Sequence, residues 1–176
     1  MENNLSVIKL IEREAAKISG VISLAQGIPT FNSGSPIREE VIRSIQNNLV
    51  DRYSPVSGLK ELRSMIAKDL SKDGMDYDAN DEILVTAGAI EALSATIISL
   101  VKPGDEVIFP SPAYPSWFKI VQMVGAKVKI VRLNEKLDWQ LNIDDIEKAI
   151  TRKTRLLILG SPNNPTGNVY SKNQIL

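Results

Sequence analysis

The chain has 176 residues, 43% hydrophobic and 24% charged, and its 21 basic and 21 acidic side chains cancel to a net charge of zero. This is the balance of one globular domain, or of a domain with a small piece of a second, and nothing in it favours disorder, nucleic acid or an anionic membrane as a partner. Cysteine and histidine are both absent, which excludes disulfides, thiolate sites, cysteine nucleophiles, Ser-His-Asp catalysis and most zinc sites. Acid–base chemistry is left to carboxylate, lysine, tyrosine or a cofactor. A phosphate-carrying small molecule stays open, because backbone amides can hold phosphate without net charge.

The first twenty residues do not form a signal peptide, since Lys9, Glu12, Arg13 and Glu14 interrupt the apolar positions. No stretch approaches the roughly 18 apolar residues of a membrane span, and a cytoplasmic protein is expected. Ile8, Ile11, Ala15 and Ile18 recur at helical spacing, with Gly20 as a stop. After a loop through Gly27 and Pro29, Ser35 is expected to cap a helix with Pro36 at its first position and a buried stripe of Ile37, Val41, Ile45 and Leu49. Leu59, Leu62, Ile66 and Leu70 mark another amphipathic helix, followed by a polar loop at 71–81.

From there the pattern alternates. Residues 82–86 read as a strand, 89–101 as a helix with Ile90, Leu93, Ile97 and Leu100 inward, 106–110 as a strand, and 115–124 as a helix ended by Gly125. Residues 127–131 read as a strand, Asn142 as the cap of a short helix containing Ile143, Ile146 and Ile150, and 155–160 as an apolar strand of the kind buried on both faces of a parallel sheet. Strand–helix alternation of this kind implies an α/β fold with a mostly parallel sheet and flanking helices. Ser171 and Gln174 have capping-box spacing and announce a helix two residues before the chain stops, so the sequence reads as cut.

Three segments could carry chemistry. Thr86 to Ile90 opens a helix with small residues whose free amides and helix dipole favour phosphate, although many strand-to-helix turns hold glycine only for tight packing. Tyr114, in Ser111-Pro112-Ala113-Tyr114-Pro115, lies beyond the carboxyl end of a strand, where it could stack on a flat ring or simply fill a loop corner. Gly160 to Gly167 places two asparagines in a turn with no evident packing role, and their amides could donate to a ring oxygen or a carboxylate; a plain Pro/Asn/Gly turn is the alternative.

In this order the segments resemble the opening of the class I aminotransferases, pyridoxal-phosphate (PLP) enzymes of fold type I. The resemblance is carried by Gln26-Gly27-Ile28-Pro29-Thr30-Phe31, by Tyr53 to Gly58 with Glu61-Leu62-Arg63, and by Val85 to Glu91. Pro103-Gly104-Asp105-Glu106-Val107, Ser111 to Tyr114, and Asn164-Pro165-Thr166-Gly167 complete it. It implies an N-terminal arm of the small domain over residues 1–34 and an incomplete PLP-binding large domain over 35–176. It also implies transfer of an amino group between an amino acid and a 2-oxo acid, of aspartate or aromatic type, in a homodimer. Within that resemblance the amides of Gly88, Ala89 and Ile90 bind the PLP phosphate, Tyr114 stacks on the pyridine ring and Asn164 bonds the ring hydroxyl oxygen. Gly27 meets the substrate carboxylate, and Tyr53 reaches the partner subunit's phosphate. Cis peptides are expected before Pro112 and Pro165. Ala89 and Ile90 stand where many relatives carry a second glycine or a polar residue, a departure that backbone binding tolerates.

The resemblance also implies what to look for after Gly167: the aspartate for the pyridine nitrogen, the Schiff-base lysine in its Ser-x-x-Lys or Ser-Lys context, and the arginine for the substrate carboxylate. None of these motifs is present. Of the thirteen lysines, Lys172 in Ser-Lys-Asn-Gln is the nearest imitation and matches a surface helix start. No catalytic residue and no metal ligand is therefore assigned, and the chain by itself is expected to be inactive. In the family fold, residues 82–86 pair with strands later in sequence, and here they would lack neighbours. The same motifs also suit a carbon–sulfur lyase or synthase of the same fold, or a non-catalytic protein that binds PLP or a partner subunit. A dinucleotide-binding fold fails, because no Gly-x-Gly-x-x-Gly follows a strand.

Overall fold

The computed structural model describes residues 7–25, 27 and 29–175. Gln26 and Ile28 of the first family motif lie outside the described residues. The chain divides into two compact units, one ending at Val56 and one beginning at Ser57.

The first unit holds α1 (Val7–Ala15) and α2 (Ser35–Gln46). Helix α1 stops short of Gly20, which takes φ +75° three residues after a salt bridge between Lys17 and Glu14 at 2.6 Å. Gly34, not Ser35, is the N-cap of α2, and Pro36 sits in the first turn, where its missing N–H costs nothing. The expected buried stripe is not buried: Ile37, Val41, Ile45 and Leu49 are all more than half exposed, and α2 has no buried residue. Helical periodicity shows that a face suits burial; it does not supply an element to cover that face, and none in this unit does so among the described residues.

The second unit begins with α3 (Lys60–Ser71), whose one buried side chain is Arg63 rather than any of its expected apolar positions. Arg63 Nε donates to the Gly58 carbonyl at 3.2 Å, and Nη1 donates to the carbonyls of Asn80, at 2.8 Å, and Ala79. The guanidinium thus ties the start of α3 to the loop ahead of residue 82, with planar donors spread over three backbone acceptors.

Residues 82–86 are not a strand. Among the described residues, the one backbone hydrogen bond that joins them to a distant stretch runs from the Val85 N–H to the Ser57 carbonyl, 3.1 Å. An apolar β-branched run has the side chains for a sheet, but a strand needs a continuous ladder beside it, and this one has a single rung.

The sheet has three parallel strands in the order β2-β1-β3: β1 (Glu106–Ser111), β2 (Lys127–Arg132) and β3 (Thr154–Leu157). β1 pairs with β2 along its whole length and with β3 through a register shift at Glu106/Val107. Helix α4 (Ala89–Leu100) precedes β1, α5 (Pro115–Met123) joins β1 to β2, and α6 (Ile143–Ala149) lies between β2 and β3. The central strand is the most buried part of the chain, because strand alternation sends its side chains into two separate cores. Val107 and Phe109 join Ile97, Val101 and Val121 on one face, where Phe109 meets the edge of Phe118 at 5.0 Å. Ile108 joins Val131, Leu133, Leu141 and Ile146 on the other. Each of Val107, Ile108, Phe109, Ile97 and Val121 is fully buried, worth about 1.5–3 kcal/mol apiece.

β3 departs from its expected double-sided burial. It is an edge of the three-stranded sheet, and its exposure alternates, with Leu157 41% exposed. In α4 only Ile97 is fully buried, while Ile90 and Leu100 are exposed. The Asn142 side chain caps α6 by accepting from the Asp144 N–H at 3.1 Å. Half of the final capping box forms at α7 (Lys172–Ile175): the Gln174 amide oxygen accepts from the Ser171 N–H and hydroxyl, each at 2.9 Å, while the Gln174 N–H donates to the Ser171 carbonyl at 3.0 Å.

Candidate functional site

The turns that follow β1 and β3 are built onto each other. Asn163 is 5% exposed, and its side-chain amide donates to the Pro112 carbonyl at 2.9 Å and to the Thr166 hydroxyl at 2.6 Å. This is a structural task that the sequence reading did not give to either asparagine of the turn. It also separates the two: Asn163 is consumed in holding the turns together, and Asn164 is exposed. The second turn is braced further by the Gly167 N–H to the Asn163 carbonyl, 2.7 Å, by the Asn163 N–H to the Asn168 carbonyl, 3.0 Å, and by the Asn168 amide to the Trp139 carbonyl, 3.0 Å. Close by, Tyr170 is 5% exposed, and burial pushes its hydroxyl pKa up.

Tyr114 is the N-cap residue of α5 and is partly buried. Its ring meets Trp117 edge-on, with centroids 6.2 Å apart. Trp117 in turn lies against Gly160, where an added Cβ would come within 2.9 Å of the indole. Tyr114, Trp117 and Gly160 therefore link the same two turns that Asn163 bonds. The sequence reading passed over Trp117; the signal that could have found it is its place one helical turn after Tyr114. The peptides before Pro112 and Pro165 are cis, as expected, and the Ser161–Pro162 peptide is cis as well.

The third segment stands at the N-terminus of α4. Gly88 is the N-cap at φ +91°, a conformation that favours glycine, and the space where a Cβ would stand is open. Its own N–H is engaged by the Thr86 carbonyl at 2.8 Å, and the Glu91 carboxylate accepts from the Ala87 N–H. The first-turn amides of Ala89 and Ile90 have no acceptor within the helix and stand at its positive end. Among the described residues no hydrogen bond joins this turn to the other two. A hollow of about 440 Å³ runs beside it, lined by Leu84, Thr86, Ala92, Ala95, Thr96, Ser99 and Leu100. Gly27 and Tyr53 belong to the first unit; both are exposed, Tyr53 completely so.

The donor chemistry suits a flat phosphate ester. It offers an open glycine with two free helix-start amides, a partly buried aromatic ring, and an exposed carboxamide on a braced turn. The family model for aminotransferase class I and II matches residues 19–176. The chain belongs to the class I and II aminotransferase family.

Similar members include a probable aspartate aminotransferase of Methanocaldococcus jannaschii, 38% identical over 89% of this chain and 41% of its own length. The aspartate aminotransferase of Pyrococcus abyssi is 37% identical over 98% of this chain and 44% of its own. Among solved structures, the N-succinyldiaminopimelate aminotransferase of Mycobacterium tuberculosis superposes with a TM-score of 0.92 at 34% identity, over 98% of this chain and 45% of that one. The chain thus spans less than half the length of the aminotransferases it matches. Among the described residues no helix is long and apolar enough to cross a membrane, and no group of His, Cys, Asp or Glu is arranged to hold a metal ion.

Proposed function

We infer that this chain is the cofactor-cradling portion of a cytoplasmic PLP-dependent aminotransferase acting on an amino acid and a 2-oxo acid. The observation that carries the reading is the division of labour between Asn163 and Asn164. Both N–H donors of one amide are spent inside the protein, and its neighbour is held on the same rigid turn with its side chain exposed. A carboxamide fixed in this way suits a ring oxygen, and Tyr114, linked to the same turn through Trp117, suits the face of that ring. The amides of Ala89 and Ile90 suit the phosphate, with Gly88 leaving room for it to approach. Tyr53, fully exposed on its own unit, is available to a second subunit, and Gly27 to a substrate carboxylate.

PLP, when bound, serves as the electron sink for the bond-breaking at the amino acid's α-carbon. What this chain adds is binding and orientation: Asn164 fixes the ring by its oxygen, Tyr114 covers one face against water, and the α4 amides anchor the far end. In this reading the division falls at residue 34, with an arm before it and the incomplete cofactor domain after it. No lysine of the chain is assigned the covalent bond or the proton transfer, so the isolated chain is inactive.

The test is an absorbance titration of the purified chain with PLP, followed by borohydride and peptide mass analysis. Saturable binding with no imine band beyond the absorbance of PLP itself, and no single modified lysine, is expected. A covalent adduct mapped to one lysine would show that this chain carries the chemistry denied to it here.

A further inference from the structure

The opposite end of the sheet carries a feature that the aminotransferase reading does not use. At the amino-terminal ends of β1 and β3 a concavity of about 350 Å³ is lined by Leu100, Lys102, Asp105, Arg152, Lys153, Thr154 and Arg155. Four basic residues and one acidic residue line it, in a chain whose net charge is zero.

The backbone that presents these cations is rigid. The Thr151 N–H donates to the Thr154 hydroxyl at 2.9 Å, the Lys153 N–H to the Thr151 hydroxyl at 3.1 Å, and the Thr154 N–H to the Thr151 carbonyl at 3.0 Å. The Lys153 carbonyl accepts from the Glu106 N–H at 2.8 Å, which fixes this turn to the edge of the sheet. Arg155 is anchored from Nε to the Leu100 carbonyl at 2.9 Å, leaving its two Nη groups for another acceptor. The carboxylates nearby are already committed. Asp105 accepts from the Lys102 N–H at 2.8 Å, and Glu106 accepts from the Thr151 hydroxyl at 2.7 Å and from Lys129 at 3.4 Å. Among the described residues none of Lys102, Arg152, Lys153 and Arg155 makes an ion pair.

We propose that this concavity is a binding site for a small, multiply charged phosphate anion of the diphosphate type. Like charges gathered on a braced turn repel one another, and an anion with several oxygens relieves that repulsion while filling the guanidinium fork and both ammonium groups. The volume lies at the small end of ligand pockets. The lining has one apolar side chain and no aromatic ring, so it recognises the diphosphate and not a nucleobase.

The experiment is a calorimetric titration of the full chain, free of PLP, with inorganic pyrophosphate at fixed ionic strength. Binding at the α4 amides is unmoved by the variants below; a saturable site is expected whose affinity depends on the concavity's cations. Lys102→Gln with Lys153→Gln should weaken it by about tenfold or more, as the loss of two charge-assisted contacts requires. The double control Lys68→Gln with Lys72→Gln, on α3 and at its C-cap, should leave it unchanged. Arg152→Gln, whose side chain bonds no backbone, gives the same reading if the double variant fails to fold. Pyrophosphate should also slow acetylation of Lys102 and Lys153 and not of Lys68 and Lys72. Absent binding, binding indifferent to these variants, or equal loss in the α3 control would overturn the proposal. Adenosine diphosphate should bind no more tightly than pyrophosphate; much tighter binding would overturn recognition of the diphosphate alone.

Discussion

The turn that follows β3 and the turn that opens α4 are both short, small-residue links, and they are held in different ways. The β3 turn is cross-braced by Asn163, Thr166 and Asn168 and locked against the β1 turn through Pro112, Trp117 and Gly160. The α4 turn rests on local contacts of Thr86, Ala87, Gly88 and Glu91, and the segment leading to it has one backbone bond to a distant partner. The difference teaches where positional precision comes from. A turn on a paired strand inherits its neighbours' registration, whereas a turn on an unpaired run depends on the few groups that anchor the run.

Those anchors give the largest expected effect. Arg63→Ala should cost about 3 kcal/mol or more in urea unfolding, because it strips three carbonyls of a buried charged donor. Gly58→Ala attacks the same place by another route. Its Cβ would lie 2.6 Å from Val85 Cβ at φ +92°, so overpacking and backbone strain together should cost roughly 2–4 kcal/mol. Should either substitution prove neutral, the segment before α4 is held by something other than the clamp described here.

The braced side is probed by its two asparagines. Asn163→Ala should lower stability by about 1–3 kcal/mol, since it orphans the Pro112 carbonyl. Asn164→Ala should stay within about 0.5 kcal/mol and instead weaken PLP in equilibrium dialysis. Equal loss of stability in both would erase the distinction between a spent and a free amide. The smallest effect concerns Glu106, whose pKa is lowered chiefly by the Thr151 hydroxyl, with burial opposing it and Lys129 and Lys127 adding to the lowering. A carboxylate lowered in the folded state adds stability above its unfolded pKa and loses it as pH falls through the folded value. Glu106→Gln should therefore flatten the acid limb of a stability–pH curve while leaving neutral pH little changed.

Much of this was legible in the residues. The alternation after residue 105 gave the parallel strands and their helices, because each period there coincides with a partner that the chain itself supplies. The capping signals at Asn142 and Ser171 worked because they are satisfied within four residues. The readings that missed concern partners. Residues 82–86 and the stripe on α2 have the right side chains for burial, but periodicity cannot say whether anything lies opposite. β3 looked fully buried because its apolar run is continuous, and its exposure follows from an edge position that no local pattern encodes. At the site, motif resemblance singled out Asn164 and Tyr114. The helical spacing from Tyr114 could have flagged Trp117, but its contact with Gly160 and the task of Asn163 depend on how two turns meet, with Asn163 and Pro112 51 residues apart in sequence, and no local signal carries that.

The two tryptophans fall on opposite faces of the sheet, Trp117 packed against the core around Phe109 and Trp139 against the core around Ile108. They are the only two in the chain, so the protein carries a separate fluorescent reporter for each of its cores. With one tryptophan replaced by phenylalanine, emission follows a single layer. Comparing the two single-tryptophan forms would reveal whether the layers melt together or one after the other.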